Sequence, residues 1–397
     1  MTTWDWIGWM LFAAFLWQLW PVWFGLIQLK RIDQFTPTGA DDKGSPFVSI
    51  VVPARDEAAV LEPALRRMLA LDYPNYEVIA IDDRSSDGTG EIMDRVAADE
   101  PSCRVIHVTE LPPGWLGKNH ANMLGAKAAR GEYLLFTDAD VLFDRPVLRH
   151  AIAAMGQRKL DHLVLLTEMI KGGFWESVLM CYFILMFTIA TKFTLARYRW
   201  AKNAYVGVGA FNLVRRAVYD AFGGHERLRM EIADDVMVGR LVKQAGFVHE
   251  ALLGMPLVRV KWQTGVRGIV RGLEKNAFAG TRYSIAFAIF AVLAQLVVIV
   301  APPVLAVTGP ARLPFAILGI TTWLTLVASS WLSRYNPLVT LFYPVAAIIF
   351  CFTIARSMAI TLKQGGVRWR DTFYPLKELR DGMATVQART AARPIDR

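Results

Sequence analysis

The sequence predicts an α/β domain with a largely parallel sheet, carried between N- and C-terminal transmembrane helices. Three observations point there. Apolar strand-like runs alternate with helical periods between about residues 45 and 283. Long, nearly uncharged stretches flank that region on both sides. The composition, 54% hydrophobic with a mean hydropathy of +0.31, is too apolar for a wholly water-soluble chain of 397 residues.

The first apolar run, Trp4 to Leu29, has Asp5 as its only charge and is long enough for a hydrocarbon core of about 30 Å. Trp4, Trp6 and Trp9 near one end, with Lys30 and Arg31 at the other, suit an interface belt and a cytosolic flank. It does not read as a signal peptide, because no basic region precedes it and it exceeds the roughly 7–15 apolar residues of a secretory core. Ile285 to Val307, Pro314 to Ser333 and Leu338 to Ile360 are also of crossing length. The expected layout is a transmembrane helix over 1–30, a cytosolic domain over 45–283, transmembrane segments over 284–362 and a basic tail over 363–397. Three simple late crossings would put Lys363, Arg368, Arg370, Lys377 and Arg380 outside, against the charge rule. Pro302-Pro303 marks the place where the first late run breaks or re-enters, which would return the tail to the cytosol. Phe174 to Leu195 is apolar apart from Glu176 and Lys192. A crossing there would separate Asp140 from Asp235, so an interfacial helix over 174–195 is expected, a buried core helix being the other reading.

A net charge of +9 is scattered or sits beside membrane segments and forms no aromatic-interleaved stripe, which argues against nucleic acid. Anionic headgroups and a phosphorylated substrate are the expected partners. Cys103, Cys181 and Cys351 lack CxxC spacing and read as reduced packing residues. The six histidines show no zinc spacing.

Phe47 to Val52 is a β-branched apolar run closed by Pro53, the pattern of a buried strand. Helical spacing over Ala58–Leu71 ends at Tyr73-Pro74-Asn75. Glu77 to Ile81 is a second strand running into Asp82-Asp83 and the turn Arg84 to Thr89; a helix over Glu91–Ala98 and a third strand over Cys103–Val108 follow. After Pro112-Pro113-Gly114 come a helix over Lys118–Ala129 and a strand over Tyr133–Thr137. Such alternation makes successive strands parallel and puts ligands beyond their carboxyl ends. Glu57, Asp82, Asp83, Asp138 and Asp140 fall there. Carboxylates gathered at one sheet edge repel unless a cation or donor groups neutralise them, so a metal site is the simplest expectation.

In extended chain Asp138 and Asp140 point the same way and Ala139 the other. They can hold one hard cation, Mg2+ or Mn2+, which would also bind a diphosphate; the other reading of the pair is a turn or a helix cap. Asp82-Asp83 either form an Asx turn or accept hydrogen bonds from a base or ribose. Gly117-Lys118-Asn119 at a helix start offers N–H groups and a cation to phosphate, without the spacing of a Walker loop. Asp234-Asp235 precede an amphipathic helix, Val236–Gln244, which either of them can cap.

Taken together, Val51-Val52-Pro53-Ala54-Arg55-Asp56-Glu57, the stretch Ile81 to Thr89 (IDDRSSDGT), Gly117-Lys118-Asn119, Asp138-Ala139-Asp140 and Asp234-Asp235 resemble the family 2 inverting glycosyltransferases over Val48–Phe247. The resemblance implies a GT-A fold, a Rossmann-like mixed sheet with flanking helices. It implies that Pro53, Glu57 and Asp83 face the nucleotide, that Lys118 lies near the diphosphate, and that Asp138 and Asp140 meet the nucleotide sugar and metal. Asp82 and Asp234 complete the substrate-binding set. Sugar transfer with inversion needs a carboxylate to take the acceptor's proton, and Asp235 is the candidate. The membrane arrangement is similar to ceramide glucosyltransferases and to bacterial hopanoid- or carotenoid-associated relatives. That implies a UDP-sugar donor, a lipid acceptor, and a multi-pass protein of a bacterial-type inner membrane with its catalytic domain cytosolic. Processive synthases of the family carry QxxRW; here the region reads Lys261-Trp262-Gln263-Thr264-Gly265-Val266-Arg267, with Arg267 and Arg271 as candidate diphosphate contacts. Transfer of one hexose is therefore expected, the alternatives being a processive synthase or a non-catalytic nucleotide- or lipid-binding membrane protein.

Overall fold

The structure, a computed structural model, describes residues 2–36 and 44–388; the end of the expected basic tail, 389–397, lies outside them. In chain order its elements are α1 (Thr3–Gln28), β1 (Val48–Ala54), α2 (Leu61–Leu69), β2 (Tyr76–Asp83), α3 (Thr89–Asp99), β3 (Cys103–Val108), α4 (Gly117–Ala128), β4 (Tyr133–Phe136), β5 (Leu142–Phe143) and α5 (Val147–Gln157). There follow β6 (His162–Leu166), β7 (Glu168–Met169), α6 (Phe174–Thr191), β8 (Asn212–Arg215), α7 (Arg216–Phe222), α8 (Asp234–Gln244), β9 (His249–Leu253) and β10 (Val258–Val260). The last are α9 (Gly265–Gly280), α10 (Ile285–Gln295), α11 (Ala301–Thr308), α12 (Arg312–Leu332), α13 (Tyr343–Gln364), β11 (Gly366–Trp369), β12 (Thr372–Pro375) and α14 (Leu376–Ala388). They form two compact units.

One unit, Leu29–Ile170 with Leu195–Trp262 and Asp381–Arg397, is the α/β body. Its seven-stranded sheet runs β3-β2-β1-β4-β8-β6-β9. The first four strands are parallel, as the alternation with helices requires, whereas β8 is antiparallel to both β4 and β6. The sheet is buried on both faces. Ile50, Val52, Val78 and Ala80 enter one core, while Val51, Ile79 and Ile81 enter another with residues of α4, α7 and α8. This two-sided burial explains why the strands read as continuous apolar runs rather than alternating ones. A small sheet, β5-β10-β7, lies in the same unit.

The other unit, Met1–Gln28 with Lys171–Thr194 and Gln263–Arg380, gathers the apolar helices. Among the described residues, five helical stretches are long and apolar enough to cross a membrane: Thr3–Gln28, Phe174–Thr191, Ile285–Thr308, Arg312–Leu332 and Pro337–Gln364. Trp17, Ile27, Phe290, Val307, Ile320 and Trp331 stand exposed on them, a surface suited to lipid. The expected block 45–283 is interrupted, because α6 packs with α12 and α13, and α9 with α13 and α6, all in this unit. Their apolar faces find partners there, and polar links add to it: Tyr182 donates to Gln295 at 2.8 Å, and the Gly265 N–H to Glu176 at 2.5 Å. Around Pro302-Pro303 the run stays helical through a π turn, Leu296–Val300. A widened turn accommodates prolines that have no N–H and crowd the carbonyls one turn back.

Candidate active site

The carboxyl ends of β2, β1 and β4 lie side by side, so the acidic residues that follow them share one sheet edge. Past β4 the chain stays clamped: Thr137 N–H donates to the Val51 carbonyl and Asp138 N–H to the Gly209 carbonyl, at 3.1 and 2.9 Å. Lys118, in the first turn of α4, puts its Nζ 2.6 Å from Asp138 Oδ1. Burial and the positive end of the helix both oppose its charge. The carboxylates of Asp138, Asp234 and Asp235 outweigh burial and hold the ammonium protonated well above its ordinary range.

The 206–209 segment brings Asp235 to the same place. Asp235 Oδ2 accepts the Gly209 N–H and Oδ1 accepts the Val236 N–H, each at 2.8 Å. A Cβ on Gly209 would lie 2.4 Å from Asp138 Oδ2, and one on Gly207 would lie 1.6 Å from the Asp235 carbonyl oxygen. Glycine is thus required for this approach of three segments. Helix α8 is capped by Ala233 without any side-chain cap, so the capping reading of Asp234-Asp235 does not hold. Burial first, then Asp234, raises the Asp235 carboxyl to about 6, Lys118 pulling the other way. Asp234 is buried beside Asn122, whose Nδ2 is 3.4 Å from it, and beside His225. Lys118, Asn122, Asp138, Gly209, His225, Asp234 and Asp235 line one small cavity.

The neighbouring edge of the sheet is braced internally. Asp82 Oδ1 accepts the Ser85 N–H, forming the expected turn, while Oδ2 meets His107 at 3.2 Å. Asp83 pairs with Arg84 through two bonds of 2.8 and 3.1 Å. The Glu57 N–H donates to Thr89 Oγ1, and Asp87 accepts from Ala58 and Thr89, so the loops after β1 and β2 hold one another. Pro53 lies in β1 opposite Ile81. Arg267 and Arg271, exposed one turn apart on α9, belong to the other unit. Asn122, Asn212, His225 and the Gly207–Gly209 segment carry no motif spacing in the sequence; the glycine doublet in Gly207-Val208-Gly209 is the one signal there.

The donor set fits a divalent cation shared with a substrate. Asp140 is half-buried, and its carboxyl is raised to about 6 by burial, then by Asp138 and Glu57, a field short of positive charge. Among the described residues no group of three or more His, Cys, Asp or Glu side chains is arranged to hold a metal alone. Two carboxylates with diphosphate oxygens and water would be the manner in which Mg2+ is bound.

Comparison with known proteins agrees with this architecture. Residues 49–223 match the family described as Glycosyl transferase family 2. The beta-monoglucosyldiacylglycerol synthase of Trichormus variabilis is 32% identical over 136 residues, covering 33% of this chain and 29% of its own. The 4,4'-diaponeurosporenoate glycosyltransferase of Staphylococcus haemolyticus is 25% identical over 237 residues, covering 59% and 61% respectively. The chain thus spans less than two thirds of the length of either relative. A mannosyltransferase from Pyrobaculum calidifontis, solved with GDP-Man and Mn2+, superposes with a TM-score of 0.53 at 18% identity, over 90% of this chain and 98% of that one, a likeness in fold. The α/β body that bears the acidic strand ends thus carries a match to the glycosyl transferase family 2 over residues 49–223 and shares the GT-A-like fold of that neighbour.

Proposed function

We propose that the protein transfers one hexose, with inversion, from a nucleotide diphosphate sugar to a lipid acceptor at the cytosolic face of a bacterial-type inner membrane. The observation that carries this is the placement of the Asp235 carboxylate in the same cavity as the Lys118–Asp138 pair. Asp235 takes the proton of the acceptor hydroxyl as its oxygen bonds to the anomeric carbon, and the bond from that carbon to the diphosphate oxygen breaks. Lys118 meets the charge gathering on the departing diphosphate. Asp138 and Asp140 would hold Mg2+ or Mn2+, which when bound would supply further neutralisation of that charge. Asp83, Glu57 and Pro53 lie along the nucleotide side, with Asp82, Asp234, Arg267 and Arg271 as further contacts. A UDP-sugar is the expected donor. Two relatives carry diacylglycerol and diaponeurosporenoate in their names, and the apolar helices supply a lipid-facing surface, which supports a lipid acceptor. In this reading α6 lies in the plane of the interface.

The test is a donor panel, UDP-glucose, UDP-N-acetylglucosamine and GDP-mannose, against a bacterial lipid extract with mass-resolved products. One sugar added per lipid is the expected product. Long chains would make it a processive synthase, and no transfer from any donor would leave a binding protein.

A further inference from the structure

The α/β body also contains a chain of polar groups, buried at His162, His249 and Asn212, that the transfer reaction does not use directly. Strands β6 and β9 set His162 opposite His249, and the two rings stack 4.6 Å apart with no exposure to solvent. Burial lowers the His162 pKa to about 4 and that of His249 well below its ordinary value, so each ring holds a single proton at neutral pH. The hydrogen bonds determine where those protons sit. A backbone N–H can only donate, so His249 Nε2, 3.0 Å from the Val206 nitrogen, accepts, and the His249 proton is on Nδ1. Nδ1 lies 2.9 Å from His162 Nδ1, which therefore accepts, leaving the His162 proton on Nε2. That Nε2–H donates to Asn212 Oδ1, and Asn212 Nδ2 donates to the Asp235 backbone carbonyl at 3.2 Å. Donation runs in one sense from Val206 to Asp235. Asn212 also pairs with Phe136, two residues before Asp138, so the chain ties the strand of one acidic residue to the helix of the other.

We propose that His162 and His249 are positioning residues for Asp235: through Asn212 they set the first turn of α8, and so keep the Asp235 carboxylate aligned with Gly209 and the cavity. This rests on the reading of Asp235 as the base. A buried chain of this kind works only with every link made, because a missing partner leaves a buried donor or acceptor unsatisfied.

His162→Leu removes both links of one ring, whereas His162→Gln keeps an N–H donor for Asn212. In the full chain in detergent, with UDP-glucose, or GDP-mannose if that is the donor turned over, His162→Leu should lower kcat roughly 10- to 100-fold with donor KM unchanged. His162→Gln should recover most of it. On an Asp235→Asn background, His162→Leu should cause no further loss of kcat. Hydrogen exchange read by mass spectrometry needs no turnover: peptides covering 233–238 should lose protection in His162→Leu and keep it in His162→Gln. Unchanged kcat and exchange in His162→Leu, or an additive loss in the double variant, would overturn the positioning role. Full activity of Asp235→Asn alone would instead overturn the assignment of the base.

Discussion

Two acidic clusters lie in the α/β body, and they behave oppositely. After β1 and β2, Asp56, Asp82, Asp83 and Asp87 each have donors close by: Ser86, Ser85, Arg84, and Thr89 with Ala58. Burial pushes the Asp87 carboxyl up, yet the bonds from Thr89 and Ala58 outweigh it and leave it below its usual value. After β4 and at the start of α8, Asp138, Asp234 and Asp235 share the field of Lys118. Burial there wins, and both Asp140 and Asp235 are raised to about 6. Net acidity is therefore a poor guide. What distinguishes the two clusters is the balance struck: donors outweigh burial at Asp87, whereas at Asp140 and Asp235 burial and neighbouring carboxylates outweigh Lys118 and the backbone donors.

The largest effect that tests this contrast is at Asp235. Asp235→Asn should reduce kcat by roughly 10²–10⁴-fold while donor KM holds, as for loss of a general base. A fall in donor affinity with kcat intact would mean that the carboxylate binds rather than abstracts. Next comes Asp138→Asn, expected to weaken the Mn2+-dependent part of UDP binding by roughly 10–100-fold in calorimetry. Equal binding with and without Mn2+ in the unaltered protein would break the claim that this end of the sheet needs a cation.

A smaller effect lies in the pH profile. With the Asp235 carboxyl raised to about 6, kcat/KM should fall as pH drops below that value and the base becomes protonated. Lys118 lowers the Asp235 pKa, so Lys118→Met should move the acid limb to higher pH; a limb that stays in place would dissociate it from Asp235.

The smallest effects are on stability, with opposite signs in the two clusters. The Asp140 carboxyl titrates near 6 in the fold and near 3.8 in the open chain, so stability is lost as pH rises through that window and stays lost at pH 7. Asp140→Asn should raise the unfolding midpoint at pH 7.5 by about 2 °C or more and make little difference well below the open-chain value of 3.8. Asp87→Ala should lower stability by about 1 kcal/mol through its lost loop bonds while kcat is unchanged. If both substitutions were destabilising at pH 7.5, the two clusters would not differ in the way described.

Most of the N-terminal half of the domain was legible. Strand Cys103–Val108 and the acidic ends at Asp82, Asp83, Asp138 and Asp140 stand where periodicity puts them, because buried parallel strands write themselves as apolar runs. Beyond Asp140 local patterns specify less. Strand β8 has four residues and runs antiparallel between β4 and β6, a placement decided by neighbours far along the chain. The Phe174–Thr191 stretch was legible as apolar, but its packing among α12 and α13 was not. His162, His249 and Asn212 carry no motif because their meaning lies in pairing across strands.

Sequence alone determined the resemblance to the glycosyl transferase family 2, the sheet that presents its carboxylates at one edge, and the membrane-length helices on either side. These follow from local periodicity and from motifs of adjacent residues, which any extended reading retains. Only the tertiary structure decided which carboxylates keep their own partners and which compete for Lys118. That outcome depends on donors brought from Thr89, Gly209 and Asn122, and a hydrogen bond acts over about 3 Å of space whatever the separation along the chain.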